Sequence, residues 1–194
     1  MQVSAVCYAR DAGPGSGNST TRRRRARRVV LERHGQAVRL NFPYIEETLM
    51  AEYIPSPRDW VREQVELYEG SGGTEGITLR DTGLPVIIVT HTGNKTGAIR
   101  KTPLMRVKDG DNYILVGSQG GAPTHPVWVY NLRINPAVEI RDEAQVQEMR
   151  VREVKDEAER ARLWDLCVAA YPPYAEYQTR TTRLIPLFVA EPAS

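Results

Sequence analysis

The chain has 194 residues, 41% of them hydrophobic, and a net charge of +2, enough for one packed domain and hardly enough for two. Its two cysteines, Cys7 and Cys167, stand near opposite ends, and His34, His91 and His125 have no metal-ligand spacing, so no disulfide framework, Cys-based zinc site or other metal centre is expected. No apolar run approaches the roughly 20 residues that span a bilayer.

The charge is unevenly placed. Residues 1–49 hold nine Lys/Arg against four Asp/Glu, and residues 50–194 hold 17 against 20. The first part joins a Gly/Ser/Asn stretch to Arg22–Arg25, Arg27 and Arg28, a run that repels itself and supplies no core. Glu32, Arg33 and His34 stand where a signal peptide needs apolar residues. Residues 1–49 therefore read as a disordered, Arg-rich extension before a domain of residues 50–194, with Met50 as an alternative translation start. The competing reading is a basic arm for nucleic acid or anionic lipid.

From Met50 the pattern becomes regular. "SPRDWVREQVELYEG" predicts a helix with Ser56 as N-cap, Pro57 in the first turn and Asp59 in a capping-box-like pair, ended by Gly70–Gly73. "LPVIIVTHTG" is a buried strand by its β-branched content. "AIRKTPLMRVKDGDNYILVGSQGG" reads as two strands joined at Asp109-Gly110-Asp111. A short helix between prolines follows in "HPVWVYNLRINP", then strands "AVEIRD" and "QVQEMRVREVK". A helix from Asp156 to about Ala170 places Leu163, Leu166 and Cys167 on one face; Pro172-Pro173 breaks it before a second short helix, and strand "IPLFVAEP" closes the chain. This order is α+β and mainly antiparallel, suiting a small barrel with peripheral helices and not a doubly wound sheet.

Three segments carry candidate chemistry. In Gly93-Asn94-Lys95-Thr96-Gly97 the lysine lies between the glycines and a strand follows, which excludes a P-loop. Alone it is most simply a hairpin turn. Alternation along the next strand puts Arg100, Thr102 and Leu104 on one face and Ile99, Lys101, Pro103 and Met105 on the other, so Lys95 and Arg100 could close on one anion. In "GSQGGAPTHPVWVYNL", Ser118 ends a strand, Gly120-Gly121 admits a flat ligand close to the backbone, and the helix begun at Val127 and Trp128 favours an anion or carbonyl at its N-terminus; an ordinary loop with a core Trp is the other reading. Tyr171, Tyr174 and Tyr177 recur every three residues, which aligns their phenols as either core or pocket wall.

Together, "TGNKTGAIRKTPLMRV", "GSQGGAPTHPVWVYNL" and "YPPYAEYQTRTTRLIPLFVAEP", with the helix "WVREQVELYEGSGGTEG", resemble the deazaflavin-dependent nitroreductase family of mycobacteria and other actinobacteria. The resemblance runs from about Met50 onward. It implies a split β-barrel of the flavin-mononucleotide-binding kind and coenzyme F420, an 8-hydroxy-5-deazaflavin with a phosphodiester and an oligoglutamate tail, as cofactor in preference to FMN. By that resemblance Lys95 and Arg100 contact the tail, Thr102, Pro103 and Ser118 surround the ring, and Gln119 also lies among the cofactor-binding positions. Val127 and Trp128 turn a helix start to the cofactor, and Tyr171, Tyr174 and Tyr177 line the substrate side. Asn94 and Gln119 depart from the basic residues usual there, and Lys101 and Arg106 are the nearest compensating charges.

The implied reaction moves hydride from reduced deazaflavin C5 to a quinone, activated alkene or nitroaromatic. A hydroxyl beside the acceptor oxygen lowers that barrier, and Ser118 and Tyr174 are the candidate donors. A non-catalytic carrier of F420, flavin or a lipophilic ligand is the alternative. The expected partner is a small molecule and not nucleic acid. The expected location is the cytoplasm, with peripheral association at the inner membrane face left open for lipophilic quinones.

Overall fold

The computed structural model describes residues 29–33, 36–40 and 51–193. The chain forms two compact units, Met1–Leu49 and Met50–Ser194. In the first, β1 (Val29–Arg33) and β2 (Gln36–Leu40) pair antiparallel, Val29 opposite Leu40 and Arg33 opposite Gln36. The remainder of the predicted extension, with its arginine run, lies outside the described residues.

The second unit opens on residues that join a sheet. Tyr53 bridges Ile99 in parallel, the Ile54 N–H donates to the Ile99 carbonyl at 3.0 Å, and the Ile99 N–H donates to the Glu52 carbonyl at 2.9 Å. Helix α1 (Asp59–Gly70) starts two residues later than the sequence suggests. Arg58 is its N-cap, Ser56 Oγ accepts the Arg58 N–H at 3.2 Å, and Asp59 pairs with Arg62 instead of closing a capping box. Val61, Val65 and Tyr68, at helical spacing, turn one face inward.

Strands β3 (Val86–Thr92) and β4 (Ile99–Met105) form a hairpin, Val86 opposite Met105 and Thr92 opposite Ile99. The strand expected to run on to the Asp109-Gly110-Asp111 turn is broken after Met105. The chain bends at Arg106-Val107 into β5 (Lys108–Asp109), which pairs with β6 (Asn112–Val116). At the bend the Arg106 N–H donates to the Pro85 carbonyl, while the Val107 carbonyl accepts from the Ile114 N–H. One stretch of chain thus passes from one edge of the sheet to the other. Helix α2 (Val127–Ile134) leads to β7 (Ala137–Asp142) and β8 (Gln145–Glu153). Helix α3 (Glu157–Ala170) is capped by Asp156, whose carboxylate accepts the Glu159 N–H at 2.7 Å. Helix α4 (Pro173–Thr179) and β9 (Leu187–Pro192) complete the unit.

The seven-stranded order is β4-β3-β7-β8-β9-β6-β5, with every pairing between these strands antiparallel, and β4 also comes near β6, so the sheet curls toward closure. This is the small antiparallel barrel with peripheral helices that the element order suits, and the split barrel that the family resemblance implies. Alternate residues serve two cores. Ile87 and Val89 of β3 join Leu115, Ile140, Met149 and Phe188 inside the curl, where Trp128, Val129 and Leu132 of α2 plug it. Val86 and Ile88 face outward onto α1, α3 and α4, packing with Tyr68, Leu163, Cys167 and Tyr174. Burying each such large apolar side chain contributes about 1.5–3 kcal/mol before conformational entropy is counted.

Candidate active site

The β3–β4 turn is built by its own backbone. The Gly93 N–H donates to the Ala98 carbonyl at 2.8 Å, the Gly97 N–H donates to the Gly93 carbonyl at 2.9 Å, and Gly97 takes a φ of 70°, a conformation glycine adopts without steric cost. The Asn94 N–H donates to Asn131 Oδ1 at 3.1 Å, tying the turn to α2. Between the turn, β4, the start of α2 and the segment before α1 lies a cleft of about 870 Å³.

Of the eleven site residues expected from the sequence, six line this cleft, Lys95, Arg100, Thr102, Gln119, Val127 and Trp128, and Asn94 and Lys101 line it beside them. Lys95 stands exposed on the turn. Arg100 donates through Nη1 to the Ile54 and Pro55 carbonyls at 3.1 and 3.4 Å, so its guanidinium is held in place. Gln119 sits at a φ of 48°, in the left-handed region. Trp128 is 7% exposed and stacks obliquely on Phe188, with ring centroids 5.8 Å apart. Helix α2 opens on Pro126 with no side-chain cap, which leaves its first N–H groups to a ligand or water.

The remaining five lie elsewhere. Pro103 is buried in β4 opposite Ile88. Ser118 ends the β6 region, its carbonyl accepting from Arg183 Nη2 at 2.7 Å. Neither is among the cleft-lining residues. The three tyrosines do come together: Tyr171 and Tyr174 centroids are 5.0 Å apart, Tyr174 and Tyr177 6.3 Å, and the Tyr171 and Tyr177 hydroxyls 3.2 Å. Tyr174 is only 4% exposed and belongs to the outer core against α3. Burial holds its phenol far above the ordinary range, and the Tyr177 hydroxyl, with burial, pushes Tyr171 up to about 12. The cluster stands behind the loop and does not line the cleft. A Cβ at Gly121 would lie 2.6 Å from the Tyr177 carbonyl oxygen. That glycine admits α4 against the loop, where the sequence suggested a flat ligand. The two compensating charges are also engaged. Lys101 Nζ sits 2.6 Å from Glu69 on α1, and Arg106 pairs with Asp142 and Glu143.

Several residues that the sequence reading did not place here also line the cleft, among them Arg58, His91, His125 and Asn131. Their only sequence signal was membership of the quoted segments, since a lone His or Asn carries no spacing. His91 is 4% exposed, with Nε2 3.2 Å from Thr102 Oγ1 and Nδ1 3.4 Å from Asn131 Nδ2. Burial, then the Arg100 charge, lowers its pKa to about 4, against a weaker opposing pull from the Thr92 carbonyl; the ring is neutral at pH 7. His125 is likewise pushed down by burial and by Arg183. Arg183 Nη1 can only donate, so His125 Nδ1, at 3.0 Å, accepts.

The lining carries Arg58, Lys95, Arg100 and Lys101, and no Asp or Glu. Only Lys101 of these four forms an ion pair among the described residues. A smaller concavity of about 460 Å³ lies on Lys108, Asp111, Gln145, Gln147 and Glu148, mixes both charge signs and contains no residue singled out above.

The profile of the F420H(2)-dependent quinone reductase family matches residues 60–192. The chain belongs to that family. It is 37% identical over 126 residues to an F420H(2)-dependent quinone reductase of Mycobacterium tuberculosis (strain ATCC 25618 / H37Rv), covering 63% of this chain and 83% of that protein. A solved F420-H2 dependent reductase (FDR-A) is 48% identical, covering 55% of this chain and 94% of that one, with a TM-score of 0.52. Another chain, solved as a domain-swapped dimer, is 47% identical, covering 70% of this chain and all of that one, with a TM-score of 0.54. Membership makes this protein an F420H(2)-dependent reductase, with coenzyme F420 as its cofactor. The donor set fits such a group. Unpaired cations and a free helix start suit phosphate and glutamates, and Val61, Val127 and Trp128 offer apolar surface to a flat ring.

Proposed function

We propose that this reductase delivers the hydride to a small acceptor whose oxygen gains negative charge, a quinone first, with activated alkenes and nitroaromatics in the same chemical class. The observation that carries the reading is a cleft with four cations, no carboxylate and an apolar rim. Val127 is 74% exposed, Tyr130 44% and Ile54 36% at that rim, surface that suits a lipophilic acceptor better than a sugar or peptide.

Bound in reduced form, the coenzyme supplies the hydride; the protein's residues bind, orient and polarise. Lys95, Arg100 and Arg58 hold the anionic tail. Trp128 and Val127 support the ring, and the first N–H groups of α2 offset negative charge beside it. A donor to the acceptor was expected at Ser118 or Tyr174. Neither lines the cleft; among the neutral donors that do, the Gln119 amide, at the loop before α2, takes that part of the proposal. No helix among the described residues is long and apolar enough to cross a membrane. We place the reaction in the cytoplasm, reaching the inner membrane face when the quinone is lipophilic.

Anaerobic titration with reduced F420 and, separately, with reduced flavin mononucleotide, followed by menadione, tests this. Saturable binding of F420 and its reoxidation on adding menadione are expected. Binding without turnover by menadione, an enone or a nitroaromatic would make the protein a carrier.

A further inference from the structure

One chain of hydrogen bonds crosses the cleft floor, and a backbone group fixes its direction. The Asn94 N–H can only donate, and it meets the Asn131 side chain at 3.1 Å. Asn131 must therefore turn its Oδ1 to Asn94, which leaves Nδ2 facing His91 Nδ1 at 3.4 Å. An amide NH2 cannot accept, and the nearby Thr92 carbonyl, which takes the Asn135 amide at 3.4 Å, is not among the ring's hydrogen-bond partners, so Nδ1 presents its lone pair. In a neutral imidazole the proton then sits on Nε2. That atom is 3.2 Å from Thr102 Oγ1, and the hydroxyl accepts. Thr102 makes no other side-chain hydrogen bond among the described residues, and it lines the cleft. His91 and Asn131 are 4% and 3% exposed, so water has little room to reverse the order.

We propose that His91 and Asn131 are positioning residues that hold the Thr102 hydroxyl as a one-way donor into the cleft, directed at a lone pair of the bound ligand. Resting on the F420 reading, the partner is a ring carbonyl oxygen or unprotonated ring nitrogen of the deazaflavin. A ligand presenting an N–H at that point meets a second donor and is rejected. His91 thereby acts on ligand selection without touching the ligand.

The polarity is measurable without any ligand. In uniformly 15N-labelled protein at pH 7, long-range proton–nitrogen correlation should show His91 with a protonated Nε2 and an unprotonated Nδ1. The signals are assigned by their loss in His91→Gln. A protonated Nδ1 overturns the proposal. Binding is then read by F420 fluorescence titration. Thr102→Val should weaken affinity roughly tenfold, the loss of one hydrogen bond to a ligand otherwise unchanged, and Thr102→Ser should restore it. His91→Gln, whose amide can accept from Asn131 and donate to Thr102, should bind close to the parent, and His91→Leu should bind like Thr102→Val. The double variant Thr102→Val/His91→Leu should be no weaker than Thr102→Val alone. Additive losses would show His91 acting independently of Thr102 and sink the relay. If His91→Leu does not fold, the tautomer and the Thr102 and Gln variants still decide. Failure of the parent protein to bind F420 removes the cofactor reading alone, because the tautomer is read on free protein.

Discussion

Removing charge from the β3–β4 turn region tests the anion reading where it is most exposed to failure. Lys95→Ala deletes an ammonium that makes no hydrogen bond or ion pair among the described residues and stands in solvent. Its folding cost should stay within about 0.5 kcal/mol, as for surface substitutions generally. Contact with a tail phosphate or glutamate is charge-assisted, which sets about 1.5–3 kcal/mol for a well-placed pair; solvent screening at Lys95 brings this toward about 1 kcal/mol. Arg100 differs. Half-buried and clamped by the Ile54 and Pro55 carbonyls, it loses little freedom on binding, so Arg100→Ala should cost about 2–3 kcal/mol of affinity. These figures correspond to roughly fivefold and roughly 30- to 150-fold increases in Kd. Arg100→Ala should also lower the melting temperature somewhat, since the segment before α1 loses its tether. The assay is fluorescence titration of F420 at two ionic strengths, with single-turnover rates at saturating coenzyme. Affinity should fall more steeply with salt in the parent than in either variant, while the saturated rate changes little. Parental affinity in both variants would refute the argument that this turn holds the tail.

Tyr174→Phe removes only a hydroxyl that lies in the outer core, away from the cleft, so turnover with menadione and the melting temperature should both stay close to the parent's; a rate loss of about 10²–10³ at unchanged stability would instead give Tyr174 the transition-state donor role read from the sequence. Acid stability should report His91, whose folded pKa of about 4 lies below its ordinary 6.5. The unfolded chain binds that proton first, so this stabilisation is complete above about pH 6.5 and drains away as pH falls toward 4, by an amount on the order of 3 kcal/mol. His91→Gln should flatten this part of the stability curve, and an unchanged slope would refute the assignment. Truncation to residues 50–194 should leave melting temperature and F420 affinity intact, because the family match lies wholly within residues 60–192. A large loss of either would show that the first 49 residues support the reductase unit.

Much of the architecture was legible because it rests on local rules. The β-branched run of β3, the prolines bracketing α2, the Asp156 cap and the Pro172-Pro173 break each act within a few residues. Strand alternation and a helix start, both local properties, pointed to Lys95, Arg100, Val127 and Trp128, which line the cleft, whereas Thr102 and Gln119 were singled out only through the family resemblance. The bend at Arg106-Val107 was not legible, because the bonds that hold it reach Pro85 and Ile114 across the barrel. Nor could the sequence say which face of a stripe meets which core: the same three-residue repeat that aligns Tyr171, Tyr174 and Tyr177 suits a pocket or an interior, and packing against α3 buries Tyr174 while Tyr171 and Tyr177 stay half-buried beside it. The availability of charge was equally hidden. Lys101 and Lys95 look alike in the sequence, but a helix 32 residues earlier supplies Glu69 to one and nothing to the other. The polar floor needed the fold most of all. Asn94, His91, Thr102 and Asn131 become a directed chain only when α2 settles across β3, because hydrogen-bond polarity depends on which donor faces which lone pair, and that is set by tertiary contact and not by residue type.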